Sequence, residues 1–395
     1  MAPSTPSRIE SIDLVRGGVV VLMALDHVRD YFHAANFLFE PNDLAHTSAA
    51  IFFTRWITHF CAPAFVFLAG TSAFLLGERT SRGHLTTFLL TRGLWLLVVE
   101  VTVVSFAWSF NPAFTFTKLQ VIWALGLCMV ILSGLIYLPK PVILLLGLAI
   151  VFGHNLLDNV HFTDSRFHDF LWSEVHEKKR FLIRGHTIAV VYPILAWVGV
   201  MALGYWCGQY YRRGVEALKR RRFLLATGAV AGLLFFVLRT TGVYGDPESW
   251  APQRSAVLTV CSFFNVTKYP PSLLYLLLTL GGILIALALV EGKTGWLGRR
   301  LLHYGRVPLF FYVAHIVLLH LVAALAIRLS GRPWSDTILK FNSNAKDSPW
   351  LAGYGFSLPT TYLIWLAIIL ALYPLCKWYD AYKLRHREKW WLSYL

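Results

Sequence analysis

The sequence predicts an all-α polytopic membrane protein of about ten transmembrane helices, with both termini on the cytoplasmic side. Three observations carry this reading. Charged residues make up 14% of the 395 positions, against about 25% in a typical soluble chain. Apolar stretches of roughly 18–25 residues, the length that crosses a bilayer as helix, recur along the whole chain. Basic residues also concentrate in alternate connecting loops, as they do on the cytoplasmic face of membrane proteins. The strand alternation of an outer-membrane barrel is absent. The chain reads as one domain over 1–395: a cytoplasmic segment 1–13, a ten-helix bundle over 14–376 and a basic cytoplasmic tail 377–395.

The first span, about 14–32, is apolar until Asp26, His27, Arg29 and Asp30 interrupt it. No small-residue cleavage site follows, so it reads as a retained helix rather than a removable signal. The second, 49–77, carries Arg55 and His59 one turn apart. The third, 85–109, contains Arg92, which can snorkel to the surface, and Glu100, which is too deep to do so and needs a partner. Spans at 119–138 and 141–157 flank the short "LPKP" turn (138–141), and 187–210 precedes "YRRGVEALKRRR" (211–222). The remaining spans fall at 222–241, 269–291, 306–329 and 357–376, with Lys268 at the interfacial end of the eighth.

An N-inside start makes "GERTSRGH" (77–84), 138–141, 211–222, "EGKTGWLGRR" (291–300) and the tail cytoplasmic, and all of them are basic. The opposite loop 33–48 has no Lys or Arg; the exception is 155–187, long enough to be a weak witness. The formal net charge of +15 therefore calls for no nucleic acid. No Walker loop or GxGxxG is present. The five cysteines, Cys61, Cys128, Cys207, Cys261 and Cys376, show no metal or redox spacing. The histidines at 154, 161, 168, 176 and 186 fit no compact ligand set and read as a solvated external loop, so no metal is expected.

Charged groups inside a span usually face the protein interior or a watery cavity. With 1.5 Å of rise per residue, His27 lies roughly 20 Å above the cytoplasmic edge of its span, His59 roughly 15 Å below the outer edge, and His315 roughly 10–15 Å from the inside. These three imidazoles, with Asp26, form a candidate reaction centre. A carboxylate beside an imidazole fixes its tautomer and raises its basicity, as a general base requires. For each histidine, a plain hydrogen bond to a neighbouring helix is the competing explanation.

The stretches "RIESIDLVRGGVVVLMALDHVRDYF" (8–32) and "RWITHFCAPAFVFLAGTSAFLLG" (55–77) resemble the heparan-alpha-glucosaminide N-acetyltransferase catalytic domain, specifically its bacterial branch. "NVTKYPPSLLYLLLTLG" (265–281) and "GRVPLFFYVAH" (305–315) are also similar to that branch. The resemblance implies a transmembrane acyltransferase of the bacterial inner membrane that passes an acetyl group from cytosolic acetyl-CoA to a sugar or glycan acceptor on the far side. It implies site residues at the Asp26–His27 position and at a histidine of the first external segment. Here that segment offers His33 and His46 at imperfect spacing, with His59 deeper. Arg55 and Lys268 join His33 and His46 as candidates for holding the acceptor. Arg16, Arg299, Arg300 and Arg306 are candidates for holding the phosphates of CoA. Membrane lipid is the expected surrounding, and the oligomeric state is left open, a homo-oligomer included. The rival class is a transporter or a solute- or lipid-binding membrane protein that uses the same polar residues as a midplane site. A sensor would need a soluble output domain, and the longest polar stretches are about 30 residues.

The charge asymmetry makes the topology testable. An impermeant thiol reagent applied to intact cells is expected to label a cysteine placed in 155–187 and to miss one placed in 212–222; the opposite pattern inverts the topology.

Overall fold

In the computed structural model the described residues are 9–162, 164–336, 349–351, 353–386 and 388–394. Positions 1–8 of the expected N-terminal segment lie outside them. The chain is mostly helical, as expected of a polytopic membrane protein. Among the described residues, seven helical stretches are long and apolar enough to cross a bilayer: Ala49–Gly77, Arg82–Ser109, Lys140–Leu157, Ala217–Thr241, Leu273–Val290, Pro308–Leu329 and Leu358–Arg385. The other three expected spans fall on helix α1 (Glu10–Phe32), which carries six charged residues, and on the short helices Val121–Leu135 and Leu195–Cys207.

Serine N-caps punctuate the chain. Ser48, Ser81, Ser165, Ser255, Ser272 and Ser357 each accept a hydrogen bond from the backbone N–H three residues on, which satisfies one otherwise orphaned helix donor. Proline in the first turn helps open Lys140–Gly153, Pro308–Leu329 and Leu358–Arg385.

The second expected span is not one smooth helix. Helix α2 (Ala49–Trp56) passes through a tight turn at Ile57–Phe60 into helix α3 (Cys61–Gly77). Pro63 has no N–H to offer the carbonyl four residues back, which is that of His59. That carbonyl accepts instead from the Tyr275 hydroxyl at 2.7 Å, tying the turn to Leu273–Val290. The third span contains a wide turn at Glu100–Val104 between Arg82–Val99 and Ser105–Ser109.

The sixth expected span is shorter than its apolar run because residues 187–190 are strand. Strands β1 (Phe116–Leu119), β2 (Lys179–Ile183) and β3 (His186–Val190) form a small sheet in the order β1-β3-β2. β1 pairs parallel with β3, and β2 pairs antiparallel with it. Arg184 and Gly185, both at positive φ, close the β2–β3 hairpin with the twist that two-residue turns of this hand supply. The segment read as a solvated loop is thus folded. His154 is buried and reaches the Pro271 carbonyl at 2.8 Å, and buried His176 pairs with Asp158 at 2.9 Å. Only His161, His168 and His186 of that set are exposed.

Loops segregate to two ends. At one end Arg254 bonds the Ala45 carbonyl, Asn265 bonds the Asn42 carbonyl, and the sheet lies alongside. At the other end Ser11 bonds Glu291, Arg212 pairs with Glu78, and Arg306 lies between Asp13 and Asp380. The start of α1 and the end of Leu358–Arg385 share that second end.

One crossing brings two backbones together, with no side chain between them, at two glycines. A Cβ on Gly204 would strike the Phe67 carbonyl, and one on Gly70 the Met201 carbonyl, so α3 and Leu195–Cys207 meet at a reciprocal glycine contact. Small residues allow this approach, which is where packing between membrane helices gains most of its energy. Gly204→Ala is expected to destabilise the bundle by about 1–3 kcal/mol. Gly134→Ala, which meets open space, is expected to be neutral or slightly stabilising. Thermal unfolding of both variants in detergent provides the comparison.

Candidate functional site

The loop end of α1, the α2–α3 turn, the sheet and the loop Asn265–Ser272 enclose a cavity of about 830 Å³. Its floor is formed at Met23, Cys61, Ala62 and Phe65, and its rim by exposed Glu40, Lys178, Arg180 and Glu248. Asp26, His27 and His59 all stand on its wall.

His27 and His315 face each other, with Nδ1 of the first 2.7 Å from Nε2 of the second. His315 Nδ1 lies 2.9 Å from the Phe311 carbonyl. A carbonyl only accepts, so the His315 proton is on Nδ1 and its Nε2 is a lone pair. His27 must then donate from Nδ1, which leaves its own Nε2 as a lone pair. That nitrogen has no hydrogen-bond partner among the described residues and is not an occluded orphan atom, so it faces the cavity. Trp108 and Tyr312 pack edge-on against the His27 ring at 5.0 and 5.9 Å, and Trp108 Nε1 donates to the Tyr312 hydroxyl at 3.3 Å. The imidazole is held in one orientation and one tautomer.

The partner that orients His27 is therefore His315, not Asp26. Asp26 is occupied by two guanidiniums: Arg29 Nη2 at 3.1 Å on Oδ1 and Arg55 Nη1 at 2.6 Å on Oδ2. The same Arg29 nitrogen lies 2.7 Å from Asp30 Oδ1, and Arg55 also donates to Thr58 at 3.0 Å. One helix turn thus holds two carboxylates and a cation, and α2 supplies the second cation. Buried charges are tolerated when paired and hydrogen-bonded in this way.

His59 is buried with its Nδ1 unpartnered, while its ring lies on the cavity wall near Tyr275. Lys268 lines the cavity, and its charge acts on Asp26, His27 and His59. Two other candidates are not brought to the cavity. His33 is buried, and its residue forms a backbone bridge to Phe356; His46 is exposed and bonds Asp43. The loop 33–48 turns through Ala34–Phe37 immediately after α1, which carries both imidazoles away from the wall.

The four candidate phosphate ligands gather at the opposite end, in two different states. Arg16 is engaged by Asp13 at 3.0 Å and Ser72 at 2.9 Å. Arg306 sits between Asp13 and Asp380, with His303 on the same Asp380. These cations are matched by carboxylates within the fold. Arg299 and Arg300 are exposed, and Arg300 lies over Trp296. Glu100 finds its partner in the backbone N–H of Gln120 at 3.2 Å rather than in a cation.

Lys118, Gln120, Tyr192, Tyr269 and the 178–180 segment also line the cavity. Sequence reasoning missed them because Lys118 and 178–180 lie outside the apolar runs, while Gln120, Tyr192 and Tyr269 sit at the ends of such runs as uncharged residues with nothing to single them out. The one available signal was the basic cluster 178–180 in an otherwise acidic-to-neutral face.

The model of the family described as heparan-alpha-glucosaminide N-acetyltransferase, catalytic, matches residues 8–244, more than half of the chain. The model of a second family, OpgC protein, matches residues 182–343. His27 and His59 fall within the first match and His315 within the second. No curated protein matches the chain.

Proposed function

The chain belongs to the heparan-alpha-glucosaminide N-acetyltransferase catalytic family, and on that premise we propose that this membrane acyltransferase moves an acetyl group from cytosolic acetyl-CoA to a sugar or glycan acceptor on the outer side of the bacterial inner membrane. The domain is a ten-helix bundle with both termini cytoplasmic, and the cavity faces outward. The observation that carries the reading is the unshared Nε2 of His27, open to the cavity and set in its tautomer by His315.

In this mechanism the acceptor hydroxyl or amine attacks the thioester carbonyl, and His27 Nε2 takes its proton. The new imidazolium keeps its Nδ1–H on His315 Nε2, a charge-assisted bond stronger than the neutral one. Asp26 acts at one remove, holding Arg55 against the cavity wall. His59 is the second imidazole within reach of an acceptor, and Arg55 and Lys268 bind acceptor oxygens. Arg299 and Arg300 hold CoA phosphates at the cytoplasmic end; Arg16 and Arg306 maintain the helix contacts there. The transporter reading has no comparable support, since no family match points to it.

Release of free CoA thiol by purified protein, with acetyl-CoA and glucosamine or glucose, tests the proposal. His27→Ala is expected to lower turnover by roughly 10²–10⁴ while thermal stability and acetyl-CoA binding persist. His315→Ala should lower turnover by less and leave KM for acetyl-CoA unchanged. A double variant lacking His27 and His59 that kept full transfer would remove the assignment.

A further inference from the structure

The loop before Leu273–Val290 places one more group on the cavity wall. Tyr269 lies on that wall beside Lys268, and a bridge between Lys268 and Pro271 closes the loop on itself. Two ammonium groups sit over the Tyr269 ring: Lys268 at 5.1 Å from its centroid and Lys178 at 5.2 Å. Arg55 of α2 flanks the phenol as well. Tyr192, just after β3, has its hydroxyl 3.4 Å away, a long contact that leaves the phenol proton available. Tyr275 of Leu273–Val290 and Asp26 of α1 complete the groups that act on it.

Three cations thus face one phenol, and the carboxylate that acts on it, Asp26, is already spent on Arg29 and Arg55. Neither Lys178 nor Lys268 forms an ion pair among the described residues. Converging positive charge whose nearby anion is already engaged stabilises negative charge that appears during a reaction.

We propose that Tyr269, backed by Lys268, donates the hydrogen bond that stabilises the acyl carbonyl oxygen as it becomes an oxyanion. The inference rests on the acyl-transfer reading above. As the acceptor oxygen or nitrogen bonds to the carbonyl carbon, the C=O π pair moves onto oxygen, and the acceptor proton goes to His27 Nε2. On collapse that pair re-forms the double bond, the C–S bond breaks, and the proton on His27 passes to the thiolate. The phenol keeps its own proton throughout.

This role has a pH signature. Burial pushes the Tyr269 phenol up, but Lys268 and Arg55 outweigh it and hold the group below the ordinary phenol range. The donor is present at low pH and lost as pH rises through that lowered value, so turnover falls on the alkaline side.

The full-length protein in detergent, assayed for thiol release from acetyl-CoA with glucosamine, glucose or water as acceptor, tests the inference across pH. Tyr269→Phe is expected to lower kcat by roughly 10²-fold, leave KM for acetyl-CoA unchanged and abolish the alkaline fall. Lys268→Met should move the fall to higher pH, because the cation that holds the phenol down is gone. 3-Fluorotyrosine at position 269, a more acidic phenol, should move it to lower pH with kcat largely retained. A Tyr269→Phe protein with the turnover and pH profile of the wild type overturns the inference and leaves acyl transfer standing. If that variant does not fold, a fluorotyrosine protein whose profile matches the wild type overturns it equally. A wild-type protein that releases no thiol with any of the three acceptors removes the acyl-transfer reading and this inference together.

Discussion

A carboxylate largely buried inside a helical bundle must be matched within the protein, and the pairing of Asp26 with Arg29 and Arg55 is the match on which the site depends. It joins α1 to the short helix α2, and so determines where the chain can turn back after the loop 33–48. Arg55 can reach Asp26 only if α2 ends near the cavity, and Pro63 bends the chain there by withholding an N–H from His59. The carbonyl freed by that bend is taken by Tyr275. A chain of polar contacts thus runs from α1 through the α2–α3 turn to Leu273–Val290, inside a bundle otherwise held by apolar packing and close glycine crossings. Breaking one partner of such a set leaves a buried charge unmatched, which costs far more than the net worth of the pair.

The histidine pair is a second arrangement of the same kind. His315 sits one helical turn beyond Phe311 and donates to a carbonyl that already serves the helix. This local bond sets the proton of His315, and through it the proton of His27, without any carboxylate. An imidazole oriented by a neutral imidazole is less basic than one oriented by Asp, but it keeps the ground state free of a further buried charge. The two carboxylates nearby are meanwhile free to hold the guanidiniums that shape the cavity.

The helical, membrane-spanning character of the chain was legible in its apolar runs, and helical rise alone was enough to single out His27, His59 and His315 together; in the structure His27 meets His315 and shares a cavity wall with His59. What depth cannot convey is azimuth, the direction a side chain faces around its helix. Asp26 and His27 are neighbours in sequence, yet they point 100° apart, so the carboxylate nearest in sequence is not the partner of the imidazole. The sheet was illegible for a different reason: residues 187–190 are apolar and β-branched enough to extend a membrane run, and only their pairing with Phe116–Leu119 and Lys179–Ile183 makes them strand. His33 and His46 looked eligible because they follow the first span, but a tight turn after Phe32 takes them off the wall. Tyr269 carried no signal of its own, since its neighbours Lys178 and Tyr192 come from segments about ninety and about eighty residues away.

The floor of the cavity has a consequence for entry from the opposite end of the bundle. On α1 the deepest residue reaching it is Met23, and seven residues separate Met23 from Arg16, which is about 10 Å of helix. Over that stretch α1 touches Trp296–Arg306 backbone to backbone at Gly17 and Gly305, and Asp13, Arg306 and Asp380 clamp the far side. The bundle in this form is a vessel sealed at its base. On the acyl-transfer reading proposed above, a thioester arriving from that side would meet a wall of glycine-tight packing, and its passage would require the base to part and the ion pairs there to exchange partners.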